Sequence, residues 1–333
     1  MDYARGAAMS AVSMREVSAD EEGIRLDRWF KTHYPGLAFG RLQKLLRSGQ
    51  VRVDGKRAKS NQRLEPGQAI RVPPLGDEAR KAGTPNDDAL RSLKDMTLFD
   101  DGTVMVLNKP AGLAVQGGSG QNNHVDKMLA ALEQGNEQRG RLVHRLDKET
   151  SGVLVIGRTR SAASKLTAAF KARETRKIYW SLVRGVPKPR EGRISSWLGK
   201  QEDERGERMR SSRQRRAETV HAETHFAVVD HAAQRLAWLV MQPVTGRTHQ
   251  LRAHAADIGH PIVGDSKYFN IENWELPGGI QNRLHLHARS ISIPHPDGGM
   301  LEISAELPPH MVQSWNLLGF DITSGEHAED LLP

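Results

Sequence analysis

Along IRLDRWFKTHY the apolar residues Leu26, Trp29 and Phe30 recur at three- and four-residue spacing, and in GRLQKLLRSG so do Leu42, Leu45 and Leu46. Such spacing collects them on one side of a helix, and Gly49 supplies a stop, so two short amphipathic helices are expected in succession. The period then changes. QVRVDGKRAK alternates Val51 and Val53 with charge ahead of an Asp54-Gly55 turn, and RLEPGQAIRV repeats strand and turn.

Residues 73–95 are rich in Pro, Gly and charge and read as a linker. From about residue 96 strand patterns such as TVMVLNK and GVLVIGRT alternate with helical ones such as SAASKLTAAFKAR. An α+β fold with a mixed or antiparallel sheet is expected. The expected organisation is a loose, disordered tail over 1–20, a small domain over 21–74, a linker over 75–95, a larger domain over 96–310 and a second tail over 311–333. There is no internal repeat.

Charge sharpens this division. The chain of 333 residues carries a formal net charge of +8, and residues 22–72 alone hold 12 Lys and Arg against 4 Asp and Glu, so the whole imbalance sits in that segment. A basic module beside a balanced one suits a polyanion-binding unit attached to a working unit. The start of the chain has no apolar stretch of the signal-peptide kind, and no run approaches a membrane span. Cysteine is absent, which excludes disulfides and thiolate chemistry and points to a cytoplasmic protein.

Candidate chemistry concentrates in three stretches. In LVHRLDKETSGVLVIGRT, apolar runs flank a turn that carries Asp147 between Arg145 and Lys148. A carboxylate beside a guanidinium can stay ionised in a partly dry place, which serves a catalytic group or a structural ion pair equally well. In KIYWSLVRG, Ile178, Trp180 and Leu182 share one strand face, and Tyr179 takes the other. In VTGRTHQLRAHAADIGHPIVGD, a helix through Leu251, Ala255 and Ile258 places Arg252 near the border of its core face, with Arg247 and His249 at its start. His249, His254, His260, His285 and His287 invite a metal reading, but none fits a HExxH helix and acidic ligands are sparse, so no metal is expected. GGSGQNNH, residues 117–124, lacks the GK[ST] ending of a phosphate loop and no strong helix start is expected after it.

Taken together, NKPAGLAV, HRLDKETSGVLVIG with KIYWSLVRG, and GRTHQLRAHAADIGHPIVGD closely resemble the signature blocks of the RluA-type pseudouridine synthases, and RLHLHARSISIPHP resembles their final strand. The resemblance covers most of residues 96–308. The helix, helix and hairpin of the N-terminal segment resemble the S4 (αL-like) RNA-binding module, as in the RluC and RluD branch. Departures are a Gln-Gly-Gly after the first motif and a long basic stretch, RGERMRSSRQRR, over 205–216.

The resemblance implies an isomerase that turns uridine into pseudouridine without a cofactor. It implies Asp147 as the catalytic carboxylate, Arg252 as its charge partner, Tyr179 as the residue packed on the base and a candidate for proton transfer at C5, and Arg145 as the group filling the space a flipped uridine leaves. Arg41, Lys44, Arg47, Arg52, Lys56 and Arg57 would meet RNA phosphates, and Arg247 is a further RNA-binding candidate. The implied partner is structured RNA, 23S rRNA or the assembling large ribosomal subunit. No membrane partner is expected, and a monomer is the working assumption. Uridine C5 methylation normally uses a Cys nucleophile, and this chain has none. RluC-type and RluD-type targets, a tRNA target, a non-catalytic ribosome-assembly role and a histidine-based metal hydrolase are left as alternatives.

Overall fold

The computed structural model of the protein describes residues 12–18, 21–34, 36–75, 87–117, 123–134, 139–203, 206–269, 275–329 and 332–333. Two compact units divide the chain, the first carrying the described residues up to Leu90 with two short later stretches, the second the remainder.

The first unit runs β1 (Ser13–Glu16), α1 (Leu26–His33), α2 (Phe39–Arg47), β2 (Arg52–Val53), β3 (Lys56–Arg57) and β4 (Ala69–Val72). The strands form an antiparallel sheet in the order β1-β4-β2-β3. Leu26, Trp29 and Phe30 from α1 and Leu42 and Leu46 from α2 pack with Val51, Val53, Leu64 and Ile70, so the apolar spacing read from the sequence builds this core. The N-terminal segment differs from the tail expected there. Ser13–Glu16 pairs along Ala69–Val72, and Val17 beyond it is buried. A polar edge strand shows no alternation because only one of its backbone edges, and little of its side-chain surface, is used.

Next comes α3 (Asp87–Met96), which occupies the second half of the expected linker, with Leu93 buried; residues 76–86 of that linker lie outside the described residues. The second unit continues with β5 (Thr97–Asp100), β6 (Val104–Lys109), α4 (Val125–Gln134), β7 (Arg141–Leu142), β8 (Ser151–Gly157), α5 (Arg160–Ala172) and β9 (Arg176–Arg184). Then follow β10 (Glu191–Asp203), β11 (Gly206–Ser212), β12 (Val220–Ala232), β13 (Leu236–Pro243), α6 (Gln250–Asp257), β14 (Leu286–Pro294), β15 (Met300–Ser304), α7 (Pro309–Leu318) and α8 (Ile322–Glu329).

One large sheet runs β11-β10-β12-β13-β9-β14-β8-β6-β5, with β15 on β14 and β7 on β8. Its pairings are antiparallel except that of β14 with β8, so the sheet is mixed. The two faces of β9 divide the core. Ile178, Trp180 and Leu182 meet Trp238 and Trp315, while Tyr179 packs with Leu251, Ala255 and Leu286 on the side of α6. That alternation sets the Tyr179 face and α6 together, and the candidate site lies there.

The second tail is also structure. Met311, Trp315, Phe320, Ala328 and Leu332 join the Trp180–Trp238 cluster, and the Trp180 indole donates to Glu329 at 2.8 Å. The segment DITSGEHAE has weak apolar periodicity of its own; the aromatic patch beneath it supplies what propensity does not. Among the described residues no helix is long and apolar enough to cross a membrane.

Candidate active site

Asp147 stands in the turn between β7 and β8, where the Thr150 amide donates to its carbonyl at 3.2 Å. Both flanking runs predicted such a turn. Its bracing was not foreseen. Lys109, fully buried at the end of β6, donates to the carbonyls of Pro110, Leu113 and Lys148 at 2.9, 2.8 and 3.0 Å, and the Gly112 amide donates to Lys148 O at 2.9 Å. Three carbonyls saturate an ammonium's three donors, so one side chain ties the NKPAG loop to the residue after Asp147. Burial pulls the Lys109 pKa down to about 7. On the other side of the turn, Gly152 holds φ +108°, and a Cβ there would fall 2.2 Å from the Ala288 carbonyl oxygen. Only glycine lets β8 approach β14 this closely.

Arg252, on α6, is buried between two carboxylates. Its Nε and Nη2 donate to Asp265 at 2.7 and 2.8 Å, and Nη1 donates to Asp147 Oδ2 at 3.3 Å. The fork to Asp265 fixes the plane of the guanidinium and leaves the third nitrogen aimed at Asp147. Asp265 also accepts from the Lys267 and Tyr268 amides at 2.9 and 3.1 Å. Burial works against charge on Arg252, but its bonds to Asp265 and the charges of Asp265 and Asp147 hold its pKa above the ordinary arginine value. The expected border position is corrected: Gln250 through Ala255 are all buried, so α6 has no wet face over its first six residues. Asp265 sat in the quoted motif without a role. The signal was the Gly-Asp pair closing the apolar PIV run, since Gly264 holds φ +74° with its missing Cβ 1.9 Å from Arg283 O.

Around this pair a cleft of about 550 Å³ opens, lined by Arg145, Asp147, Tyr179, Arg247, His249 and Arg252 among others. All six were singled out from the sequence, and the cleft brings them together. Burial, then the charge of Asp147, raises the Tyr179 pKa, so its hydroxyl keeps its proton. Arg145 is exposed beside Asp147, and Arg247 is exposed at the turn before α6. His249, in the left-handed conformation at φ 52°, places Nε2 3.7 Å from Asp147 and Nδ1 3.3 Å from Tyr268 OH, whose proton goes to the Met209 carbonyl. Burial lowers its pKa, leaving a neutral ring beside the carboxylate. Lys171, Arg173, Lys177 and His144 also line the cleft. His144 Nε2 accepts from the Val155 amide at 2.8 Å, and burial pulls its pKa down to about 3.

The other histidines act within the fold. His254 bridges Ser196 and Thr224 at 3.0 and 2.9 Å, His285 meets Ser314 at 2.8 Å, and His287 meets Ser151 at 2.9 Å. No group of three or more potential metal ligands gathers among the described residues. Of GGSGQNNH, residues 118–122 lie outside the described residues; α4 does begin directly after it at Val125, where His124 Nδ1 accepts from the Lys127 amide at 3.1 Å.

In the first unit, Arg41, Lys44, Arg47, Arg52, Lys56 and Arg57 are all exposed. The first three follow each other at three-residue spacing on α2, away from Leu42 and Leu46. Strand register sets Arg71, Arg52 and Arg57 side by side across β4, β2 and β3.

The chain is similar along most of its length to proteins of one family. Residues 103–257 match the RNA pseudouridylate synthase family. The ribosomal large subunit pseudouridine synthase C of Escherichia coli is 38% identical over 297 residues, 87% of this chain and 91% of that one. Its namesake from Haemophilus influenzae is 39% identical over 313 residues, 91% and 94% of the two chains. Among solved structures, human RNA pseudouridylate synthase domain containing 4 superposes with a TM-score of 0.59 at 28% identity, over 72% of this chain and 98% of that one. Identities of 38% and 39% over 87% and 91% of its length place the chain in the RNA pseudouridylate synthase family.

Proposed function

We propose that the protein converts uridine to pseudouridine in large-subunit rRNA, with Asp147 as the catalytic carboxylate and the first unit as an S4-type RNA-binding module. The observation that carries the reading is the contact of Arg252 with Asp147 at 3.3 Å inside a cleft edged by exposed arginines. The names of the bacterial relatives direct it to large-subunit rRNA. A chain without cysteine fits work in the cytoplasm.

The reaction breaks the N1–C1′ bond of a uridine, turns the base and joins C5 to C1′. The C5 proton leaves and N1 gains one, so atoms and electrons balance without a redox partner. Arg252 holds the Asp147 carboxylate in place within the cleft, ready to act at the ribose. Tyr179, with its proton held, offers a flat surface for the uracil and a hydroxyl donor rather than a standing base. Arg145 fills the stack that the uridine vacates, offsetting part of an unstacking cost of a few kcal/mol.

For the first unit, the support is the arginine row. Like charges directly opposite in a sheet repel, so Arg52 against Arg57 is costly until a polyanion neutralises them. The deciding experiment is carbodiimide mapping of pseudouridine on a large-subunit rRNA transcript treated with wild type or Asp147→Asn. Stops seen only with wild type are expected and name the target uridines. Equal stops with both proteins would remove Asp147 from the chemistry, and none with either, given tight binding, would turn attention to tRNA or to the assembling subunit.

A further inference from the structure

Among the described residues, none of the long basic stretch over 205–216 lines the cleft. That stretch holds six arginines and one glutamate in twelve residues, although the chain outside residues 22–72 is balanced overall. Its place in the fold gives that excess a direction. Along β10, Ile194, Ser196 and Leu198 turn inward, and Leu198 joins Met209 of β11, Ala222 of β12 and Ala253 of α6. The alternate positions, Arg193, Ser195 and Trp197, therefore face away from α6, with His221, Glu223 and His225 opposite them on β12. On β11, Arg210 opposes Gly199 and shares this outer face.

Trp197 is a half-buried aromatic among these polar neighbours. The Arg215 guanidinium lies 5.4 Å from its ring centroid, and the His221 ring meets it edge-on at 5.4 Å. Ser195 Oγ contacts His221 Nε2 at 3.0 Å and fixes that ring. The loop after β11 is braced rather than loose: Gln214 N donates to Ser212 Oγ at 3.2 Å and Arg216 N to Thr219 Oγ1 at 2.9 Å. Arg213, Arg215 and Arg216 stand exposed upon it. The face also connects to the cleft. Arg247, which lines the cleft, donates from Nε to the His221 carbonyl at 3.1 Å.

We propose that the outer face of β10, β11 and β12 is a second RNA-binding surface, where Trp197 stacks an unpaired base flanking the target and Arg210, Arg213, Arg215 and Arg216 hold the adjoining phosphates. It rests on the RNA-modifying function above and extends the same substrate beyond the cleft. One aromatic ring amid arginines is the composition that serves single-stranded nucleic acid, where every base has a face to stack and every linkage a charge. The buried core of a protein interface is more apolar and poorer in charge than this face, which offers a single ring amid arginines. The acid beside Trp197 and His221, Glu223, is already engaged by Arg193 and His225 at 3.5 and 3.6 Å, and Glu191 lies six residues from Trp197 at the far end of β10.

The binding test uses the full chain carrying Asp147→Asn, so that affinity and crosslinking are read apart from turnover, and an rRNA fragment with 4-thiouridine placed next to the target. Irradiation is expected to crosslink the RNA to the peptide that contains Trp197 or His221. Trp197→Ala is expected to weaken binding on the order of tenfold, with Trp197→Phe retaining most of the affinity. Replacing Arg210, Arg213, Arg215 and Arg216 by Gln should flatten the dependence of log affinity on log salt by roughly 0.7 for each phosphate no longer neutralised. The arginine variants change exposed positions, so they decide the matter even where Trp197→Ala fails to fold. Wild-type affinity and salt slope in these variants, with crosslinks confined to the cleft, would overturn the proposal. If wild type forms no pseudouridine but the outer-face variants lose RNA affinity, the surface stands and the function falls; turnover with no outer-face effect removes the surface and leaves the function standing.

Discussion

The charges at the cleft and those on the first unit obey opposite rules. Arg252 is buried and held by two carboxylates, one in a bidentate fork. Arg52, Arg57 and Arg71 lie in register across one sheet, and Arg52 spends its donors on the Gly49 and Gly55 carbonyls. A buried charge must be paired before the chain can fold, so its partner also dictates its position. An exposed cation costs little by itself, and a row of them stores repulsion that only an incoming polyanion relieves. Burial therefore marks the charges that fix geometry, and exposure in a row marks those proposed above to bind RNA.

Removing Asp265 should give the largest effect. Asp265→Asn leaves Arg252 buried with half its pairing, which costs about 3–5 kcal/mol, and turnover should be lost even at temperatures where the variant is folded. Thermal melting and single-turnover assays check both halves; normal turnover in a destabilised protein would show that the fork does not position Arg252. Replacing Arg52, Arg57 and Arg71 together by Gln should do the reverse. Stability holds or rises, while rRNA affinity drops and the salt slope flattens by roughly 0.9 for each phosphate left without its arginine. Filter binding across a salt series reads this, and an unchanged slope would demote the row to solvated surface.

Lys177 mixes the two types and should give the smallest effect. It lines the cleft, and burial with the nearby Arg173 pulls its pKa down to about 8. The lysine is cationic below that pH and neutral above it, so RNA affinity should fall by about two- to threefold between pH 7 and 9. Lys177→Arg, charged throughout, should abolish the dependence. A pH profile identical in both proteins would mean that Lys177 does not face phosphate.

Much of this division was legible in the chain because it rests on local pattern. The helices of the first unit and the strands around Asp147 follow from apolar spacing within about ten residues. Asp147, Tyr179 and Arg252 were picked out by residue type beside such runs. Asp265 and Lys109 were not, since each acts through a partner remote along the chain: Arg252 is thirteen residues from Asp265, and the Lys148 carbonyl thirty-nine from Lys109. The misread tails have the same origin. Ser13–Glu16 is a strand only because Ala69–Val72 lies beside it, and α8 has a place because two tryptophans far earlier in the chain lie beneath it.

The glycines at 152 and 264 bear on how this protein can change. Each sits within five residues of a carboxylate that touches Arg252, and at each any larger residue would meet a main-chain carbonyl. A library randomised through the middle of the site would yield mostly unfolded clones from these two codons, whatever was selected at the others. Altered target choice is more accessible through the rim, in Gly246, Arg247 and Thr248, where side chains are exposed and the backbone is not wedged against another strand. Mutational robustness in this enzyme should therefore run along a gradient, lowest at the carboxylates and rising outward to the surfaces that choose the RNA.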